Sequence, residues 1–395
     1  MSNELDVLFL GGLFPKEIEK EIIINAKRNI QNAANVFQWN IVEGLDSNLS
    51  RPIKILNSLY IGSFPRRYKK LIIKSFKFKH KENSDDYNAG FINIMGFKNL
   101  IRWVSIKPFL KKWALNKNNN NKIFITYALL PNNLKSIKYL SKINKSIKSC
   151  IIVPDLPEYM GIPSDKNILY KIKKHLDGKY IEKNLEYADC FVFLTEYMNK
   201  KINIKNKPYR VIEGISKVRN VKLNYNNDDD VKIILYSGGI NKRYGILSLI
   251  EAFETIDGDD YKLIICGDGD CSNILEKYAS KDKRIEYKGS IPREEVLLLQ
   301  NNATVLINPR QNNEEFTKYS FPSKIIEYLE AGKPVICYKL DGFPKEYDDY
   351  LIYVDGNDKI SLAEKIIEVC NYSNERRKII GMKNINFIHS IKNSK

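Results

Sequence analysis

The sequence predicts an α/β protein built from two Rossmann-like, doubly wound parallel-sheet domains facing across a cleft. Three observations carry that expectation. A length of 395 residues suits two domains of ordinary size. A pattern of short apolar run, turn and helix-period stretch runs through the first half, then restarts after the polar stretch Asn226 to Asp230. Several of the apolar runs end in glycine turns, at Gly11-Gly12, Gly238-Gly239 and Gly267-Asp268-Gly269. Short strands alternating with helices imply right-handed crossovers and parallel pairing, and ligands of such sheets gather at the carboxyl ends of the strands.

In chain order, the first strand is Leu5 to Leu10, followed by a helix over Glu17 to Asn32 and strands over Val36 to Val42 and Ile53 to Ile61. Lys122 to Tyr127, Cys150 to Val153 and Cys190 to Leu194 continue the set, with helices over Leu134 to Ile147 and Lys166 to Ala188 between them. The second half opens with Val231 to Tyr236 and a helix over Gly245 to Thr255. Strands at Lys262 to Cys266, Arg284 to Tyr287, Thr304 to Asn308 and Pro334 to Tyr338 follow, separated by helices that end at Ser280, start at Arg293 and cover Ser323 to Ala331. The division expected is a first domain over residues 1–215, a second over 216–374 and a basic closing helix over 375–395 that returns to the first domain.

Composition narrows the class. With 43% hydrophobic residues and 28% charged, the chain can bury substantial cores, and 20 Gly with 14 Pro is too few for a fibrous or low-complexity protein. The six cysteines form no CxxC pair and the three histidines are scattered, so neither structural zinc nor a disulfide framework is expected. No run of 18 apolar residues occurs, and the opening MSNELDVLFLGG is acidic before a short apolar stretch, so neither a membrane span nor secretion is expected. The net charge of +17 is concentrated in the first half: residues 51–150 hold 22 basic and 3 acidic side chains. Such a block implies an anionic partner, and the interleaving of aromatics and cations from Phe64 through Lys79 suits an anionic membrane surface. No RNA-binding or zinc-finger pattern accompanies it, so no nucleic acid is expected.

The glycine turns can bring backbone N–H groups to a phosphate, yet none completes GxGxxG, which counts against a nicotinamide dehydrogenase. Asp268 and Asp270 read as turn formers rather than metal ligands. More informative is Asn308 to Val335. Pro322 and Ser323 begin a helix with Lys324 in its first turn, where a cation opposes the helix dipole by roughly 0.3–1 kcal/mol, and Glu327 stands one turn on along the same side. An anion shared by Lys324 and the helix start would reverse that penalty.

Ser323 to Leu329, followed by Ala331-Gly332-Lys333-Pro334-Val335, resembles the donor site of GT-B glycosyltransferases of the family 4-like group, common in polysaccharide and capsule assembly. The resemblance extends through Tyr236 to Phe253, Ile264 to Asp270 and Tyr287 to Pro292, and more weakly to Gly11-Gly12 and Asn184 to Leu194. It implies a retaining, metal-independent transferase with no cofactor beyond its nucleotide-diphosphate sugar, a UDP-sugar by frequency, with the nucleotide sugar bound by the domain over 216–374 and the acceptor held by the domain over 1–215. Glu327 then binds the ribose, Gly289 to Ile291 meets the base, and Ser323, Gly12, Gly238 and Gly239 line the donor. Where the family has an arginine and a lysine to steady the diphosphate, this chain has Gly239 and Tyr244; Lys242, Arg243, Lys324 and Arg310 are the substitutes. The family's first glutamate falls on Tyr319, with Glu314 and Glu315 a few residues earlier, and a first-domain histidine is replaced by Pro154, leaving Asp155 to orient an acceptor. Catalysis is expected to rest on Arg243, Lys324 and Asp155. A lipid-linked glycan at the cytoplasmic face of the membrane matches the basic first half. Two alternatives stay open: a GT-B sugar-nucleotide epimerase, and a nonenzymatic protein binding anionic lipid or nucleic acid.

Overall fold

The computed structural model describes residues 4–27, 30–116, 121–159, 168–217 and 231–394, so the Asn226 to Asp230 stretch lies outside the described residues. The chain divides into two compact units, Met1–Glu213 with Ser394–Lys395 and Gly214–Asn393.

In the first unit the strands are β1 (Asp6–Gly11), β2 (Lys54–Asn57), β3 (Ile72–Ile73), β4 (Phe76–Phe78), β5 (Asp86–Asn88), β6 (Phe91–Ile92), β7 (Lys122–Tyr127), β8 (Lys148–Val153), β9 (Cys190–Phe193) and β10 (Tyr209–Val211). Its helices are α1 (Glu19–Asn25), α2 (Asn32–Asn48), α3 (Lys98–Leu115), α4 (Pro131–Ile143), α5 (Ile168–Asn184) and α6 (Glu196–Lys201). Eight strands form one sheet in the order β10-β9-β8-β7-β1-β2-β5-β4, while β3 and β6 pair separately. All neighbours in the large sheet are parallel except β4 with β5.

Two expectations fail here. Val36 to Val42 is not a strand but the middle of α2, whose buried residues are Asn35, Gln38, Asn40, Ile41, Val42 and Asp46. Asn35 and Gln38 face inward because their side-chain oxygens accept from the N–H groups of Phe14 and Gly12 at 2.8 and 2.9 Å. A helix whose inner face is polar does not show the apolar periodicity that sequence patterns detect. The expected strand Ile53 to Ile61 is likewise shorter, because the chain leaves β2 at Ser58 to loop over the end of β1, where the Ser58 N–H donates to Gly11 O at 2.9 Å.

The second unit contains β11 (Lys232–Ser237), β12 (Tyr261–Cys266), β13 (Ile285–Gly289), β14 (Val305–Asn308), β15 (Val335–Cys337) and β16 (Ile352–Tyr353), with α7 (Ile246–Phe253), α8 (Ser272–Lys281), α9 (Arg293–Asn302), α10 (Lys324–Glu330), α11 (Lys359–Cys370) and α12 (Asn374–Ile391). Its sheet is wholly parallel, in the order β13-β12-β11-β14-β15-β16. Alternate residues of each strand serve opposite cores. Ile234, Tyr236, Leu263, Ile265, Val305 and Ile307 pack with α7, α8 and α11, whereas Leu235, Ile264, Cys266, Leu306 and Val335 pack with α10 and α12. Burial on both faces is why these strands read as unbroken apolar runs. Phe387 and Ile388 of α12 complete the second of these cores. The segment expected to return across the first domain therefore packs over Asn374–Ile391 in the second unit, and the chain after Asn393 groups with the first. Among the described residues no helix is long and apolar enough to cross a membrane.

Candidate active site

Every candidate from the second half follows the carboxyl end of a strand. Gly238, Gly239, Lys242 and Arg243 come after β11, Gly289 and Ile291 end or follow β13, and Arg310, Glu315 and Tyr319 follow β14 and lead into Ser323, Lys324 and Glu327. The first turns are locked together by glycines. A Cβ on Gly267 would stand 1.8 Å from Gly238 O, and one on Gly269 2.1 Å from Ile240 O. The N–H of Ile240 donates to Asp268 O, and that of Cys271 to Ile240 O, each at 3.0 Å. Asp268 and Asp270 serve this turn: Asp268 Oδ1 accepts from the Gly269 N–H and the Ser272 hydroxyl, and Asp270 Oδ1 from the Lys242 N–H. Among the described residues no group of three or more His, Cys, Asp or Glu side chains is arranged to hold a metal.

Glu327 is the electrostatic centre. Its Oε1 accepts from Lys324 Nζ at 2.6 Å and from Gln300 Nε2 at 2.7 Å, and its Oε2 lies 3.3 Å from an Nη of Arg293. Burial alone would push this carboxyl up, but the charges of Lys324 and Arg293 and the two hydrogen bonds outweigh it and hold the pKa down at about 2. A carboxylate offers about four lone-pair sites. Three donors are in place, so acceptor capacity remains on Oε2. Behind it, Gln300 also donates to Ser237 Oγ at 3.0 Å, and the Tyr328 hydroxyl accepts from the Ser237 N–H at 2.8 Å and donates to its carbonyl at 3.1 Å. The end of β11 is thereby tied to α9 and α10. Ser323, at the start of α10, makes no side-chain cap bond.

A second cationic group surrounds Phe316. The guanidinium of Arg243 lies 3.7 Å from the centre of that ring and pairs with Glu314 at 3.0 Å, while Arg310 lies 5.4 Å from it and 4.4 Å from the Tyr244 ring. Tyr319 donates to Glu315 Oε1 at 3.3 Å. Gly289 has a φ of +63°, and a Cβ there would meet nothing within 4 Å, while Ile291 packs partly against the α10 and α12 core.

The remaining candidates, Gly12 and Asp155, belong to the first unit. The Gly12 N–H is already engaged by Gln38, and a Cβ on Gly12 would lie 2.1 Å from the Tyr60 ring, so packing accounts for this glycine. Asp155 is exposed just past β8 and adds to the effect of burial in raising the pKa of the Tyr127 hydroxyl. Sequence reasoning missed Arg293, Gln300, Phe316 and Tyr328. A signal existed for the first two: they lie seven residues apart on α9, hence on one face, and a glutamine is fully buried there only if it has partners.

Residues 219–383 match the family described as glycosyl transferases group 1. The match falls within the second unit. Its fold relatives extend over both units of the chain. Sucrose-phosphate synthase of Thermosynechococcus elongatus is 14% identical with a TM-score of 0.66, covering 98% of this chain and 95% of its own. The lipopolysaccharide outer core galactosyltransferase WaaB is 15% identical, with a TM-score of 0.58 over 98% and 96%. HepE of Anabaena, solved in complex with UDP, is 11% identical, with a TM-score of 0.58 over 98% and 96%. No curated protein sequence matches the chain. The chain has the GT-B fold, is similar to group 1 glycosyl transferases over residues 219–383, and carries Lys324, Glu327, Arg243 and Arg310 at the carboxyl edge of the second unit's sheet.

Proposed function

We propose that the protein is a retaining glycosyltransferase that moves a sugar from a nucleotide-diphosphate sugar, a UDP-sugar first of all, to a lipid-linked or growing glycan in surface polysaccharide synthesis. It works without a metal, at the inner face of the cell membrane. One observation carries the reading: a carboxylate held ionised by Lys324, Arg293 and Gln300, with acceptor capacity left on Oε2, at the strand ends of a group 1 domain. That is the chemistry a ribose hydroxyl needs. Lys324 has three donors and gives one to Glu327, so two remain for diphosphate oxygens. Breaking the sugar–phosphate bond collects negative charge on the departing nucleotide diphosphate, which preorganised cations stabilise; Lys324, Arg243 and Arg310 are fixed in place for that task. The open surface at Gly289 suits a flat base. Retention and metal independence follow the family resemblance, UDP follows HepE, and Asp155 in the first unit serves to orient the acceptor. The concentration of positive charge in residues 51–150 supports a membrane-borne acceptor.

The test is a thermal-shift screen of UDP, GDP, ADP and CMP with and without magnesium. A nucleotide that raises the melting temperature of the wild type, but not of Glu327→Ala, identifies the donor class. No shift with any nucleotide, together with no nucleotide released from any sugar donor in the presence of acceptor, would overturn the assignment.

A further inference from the structure

The amino end of α3 reverses the usual electrostatics of a helix start. It has no acidic residue in its first turn, Phe97 supplies no side-chain cap, and Lys98 occupies its first position. Lys98 Nζ donates to Ile61 O at 3.1 Å. One turn on and on the same face, Arg102 donates to Leu59 O and stacks over the Phe91 ring at 4.2 Å. Arg102 is only 9% exposed, and its Nε is buried without a hydrogen-bond partner. Burial and the neighbouring charges of Arg102, Lys173 and Arg67 pull the Lys98 pKa down to about 8, and burial pulls that of Arg102 down to about 10, relieved only slightly by Tyr60. Among the described residues no carboxylate pairs with Lys98, Arg102 or Arg67.

Unpaired buried cations beside a positive helix end are costly to keep unless an anion neutralises them. The place also fits a ligand: Leu59 to Ile61 directly follow β2, and the Tyr60 N–H donates to Gly12 O past the end of β1, so the cluster lies at the carboxyl edge of the first unit's parallel sheet. Around it Met95, Phe97 and Leu100 are more than half exposed. We infer that Lys98, Arg102 and the start of α3 bind a phosphoryl group, and that the exposed apolar fringe receives the lipid chain attached to it. The inference rests on the reading of a lipid-linked acceptor and assigns its phosphate a place.

Calorimetric titration of the full chain with inorganic pyrophosphate and with dodecyl phosphate tests it. Both probes should bind the wild type, and Lys98→Met should weaken both by about tenfold or more, the value of a charge-assisted hydrogen bond. Tighter binding of dodecyl phosphate than of pyrophosphate supports the apolar fringe as the seat of the lipid chain; equal binding would overturn that part of the inference. Raising the pH from about 7 to about 9 discharges Lys98 and should weaken binding relative to Lys98→Arg, which stays charged and controls for the ionisation of the probe. Pyrophosphate also suits the donor's diphosphate site in the second unit, so both titrations are repeated in Lys324→Gln, where the Lys98-dependent binding event should persist. Absence of binding to the wild type, full affinity in Lys98→Met, or loss of the Lys98-dependent event in Lys324→Gln would each overturn the site. Titrating UDP into the same variants keeps the questions apart, since a failed donor site leaves the Lys98-dependent binding of pyrophosphate intact.

Discussion

Replacing Glu327 by glutamine removes one charge and preserves shape, so its consequences can be worked from the site. The folded-state pKa of about 2 against 4.5, at about 1.4 kcal/mol per unit, means that the fold favours the carboxylate by about 3 kcal/mol. The group is 13% exposed, so solvent screening takes little from this figure. Because the pKa is depressed, the stabilisation is fully present above pH 4.5 and is lost as pH falls from there toward 2. In Glu327→Gln that acid-dependent loss should disappear, and stability near neutrality should fall by up to about 3 kcal/mol, since the new amide cannot accept from Lys324, Gln300 and Arg293 together. Donor affinity should fall in parallel. Exchanging a charged acceptor of a ribose hydroxyl for a neutral one costs about 1.5–3 kcal/mol, or roughly ten- to a hundredfold in Kd for UDP. Denaturant unfolding from pH 2 to 7 reads the first effect and calorimetric titration of UDP the second. A variant that keeps the parental acid profile and the parental UDP affinity would refute both the assignment of Glu327 and the electrostatic reasoning behind it.

Three other perturbations follow from the geometry. Gly245 has a φ of +79° and a Cβ there would stand 2.0 Å from Pro309 O, a backbone atom that cannot swing aside, so Gly245→Ala should lower stability by at least about 2 kcal/mol in thermal unfolding. Tyr328→Phe removes the hydroxyl that satisfies both the N–H and the carbonyl of Ser237, and should cost about 1–3 kcal/mol while weakening UDP binding far less than Glu327→Gln. His80 is clamped between Asp86 at 2.7 Å and Asp46 at 2.9 Å. Burial lowers its pKa, but the hydrogen bonds and charges of the two carboxylates raise it, for a net rise above 6.5. The contribution is therefore full below pH 6.5 and declines as pH climbs through the higher folded-state value, so His80→Leu should lose about 3–5 kcal/mol at pH 6 and show a flatter alkaline limb in urea unfolding.

The sequence by itself determined the elements whose information is local. Lys122 to Tyr127 appears as β7 with the same ends, and the second sheet follows the apolar runs from Val231 to Tyr338, because a strand buried on both faces must be apolar throughout. The strand-end glycines were legible too, since Gly267 and Gly269 let two backbones touch and Gly238 leaves room for the Tyr236 side chain. So were Lys324 and Glu327, set one turn apart on a single helix. What had to await the tertiary structure was every feature defined by residues distant in sequence. The inner face of α2 is polar because it caps the turn after β1, which no periodicity within α2 announces. Arg293 and Gln300 acquire meaning only when α9 is laid beside α10, and Arg243 meets Arg310 only because a ring 73 residues further along, Phe316, stands between them. Local pattern is set by which face of an element leaves water. The charge state of a carboxylate is set by what the completed fold brings within a few ångströms of it, and sequence spacing carries no measure of that distance.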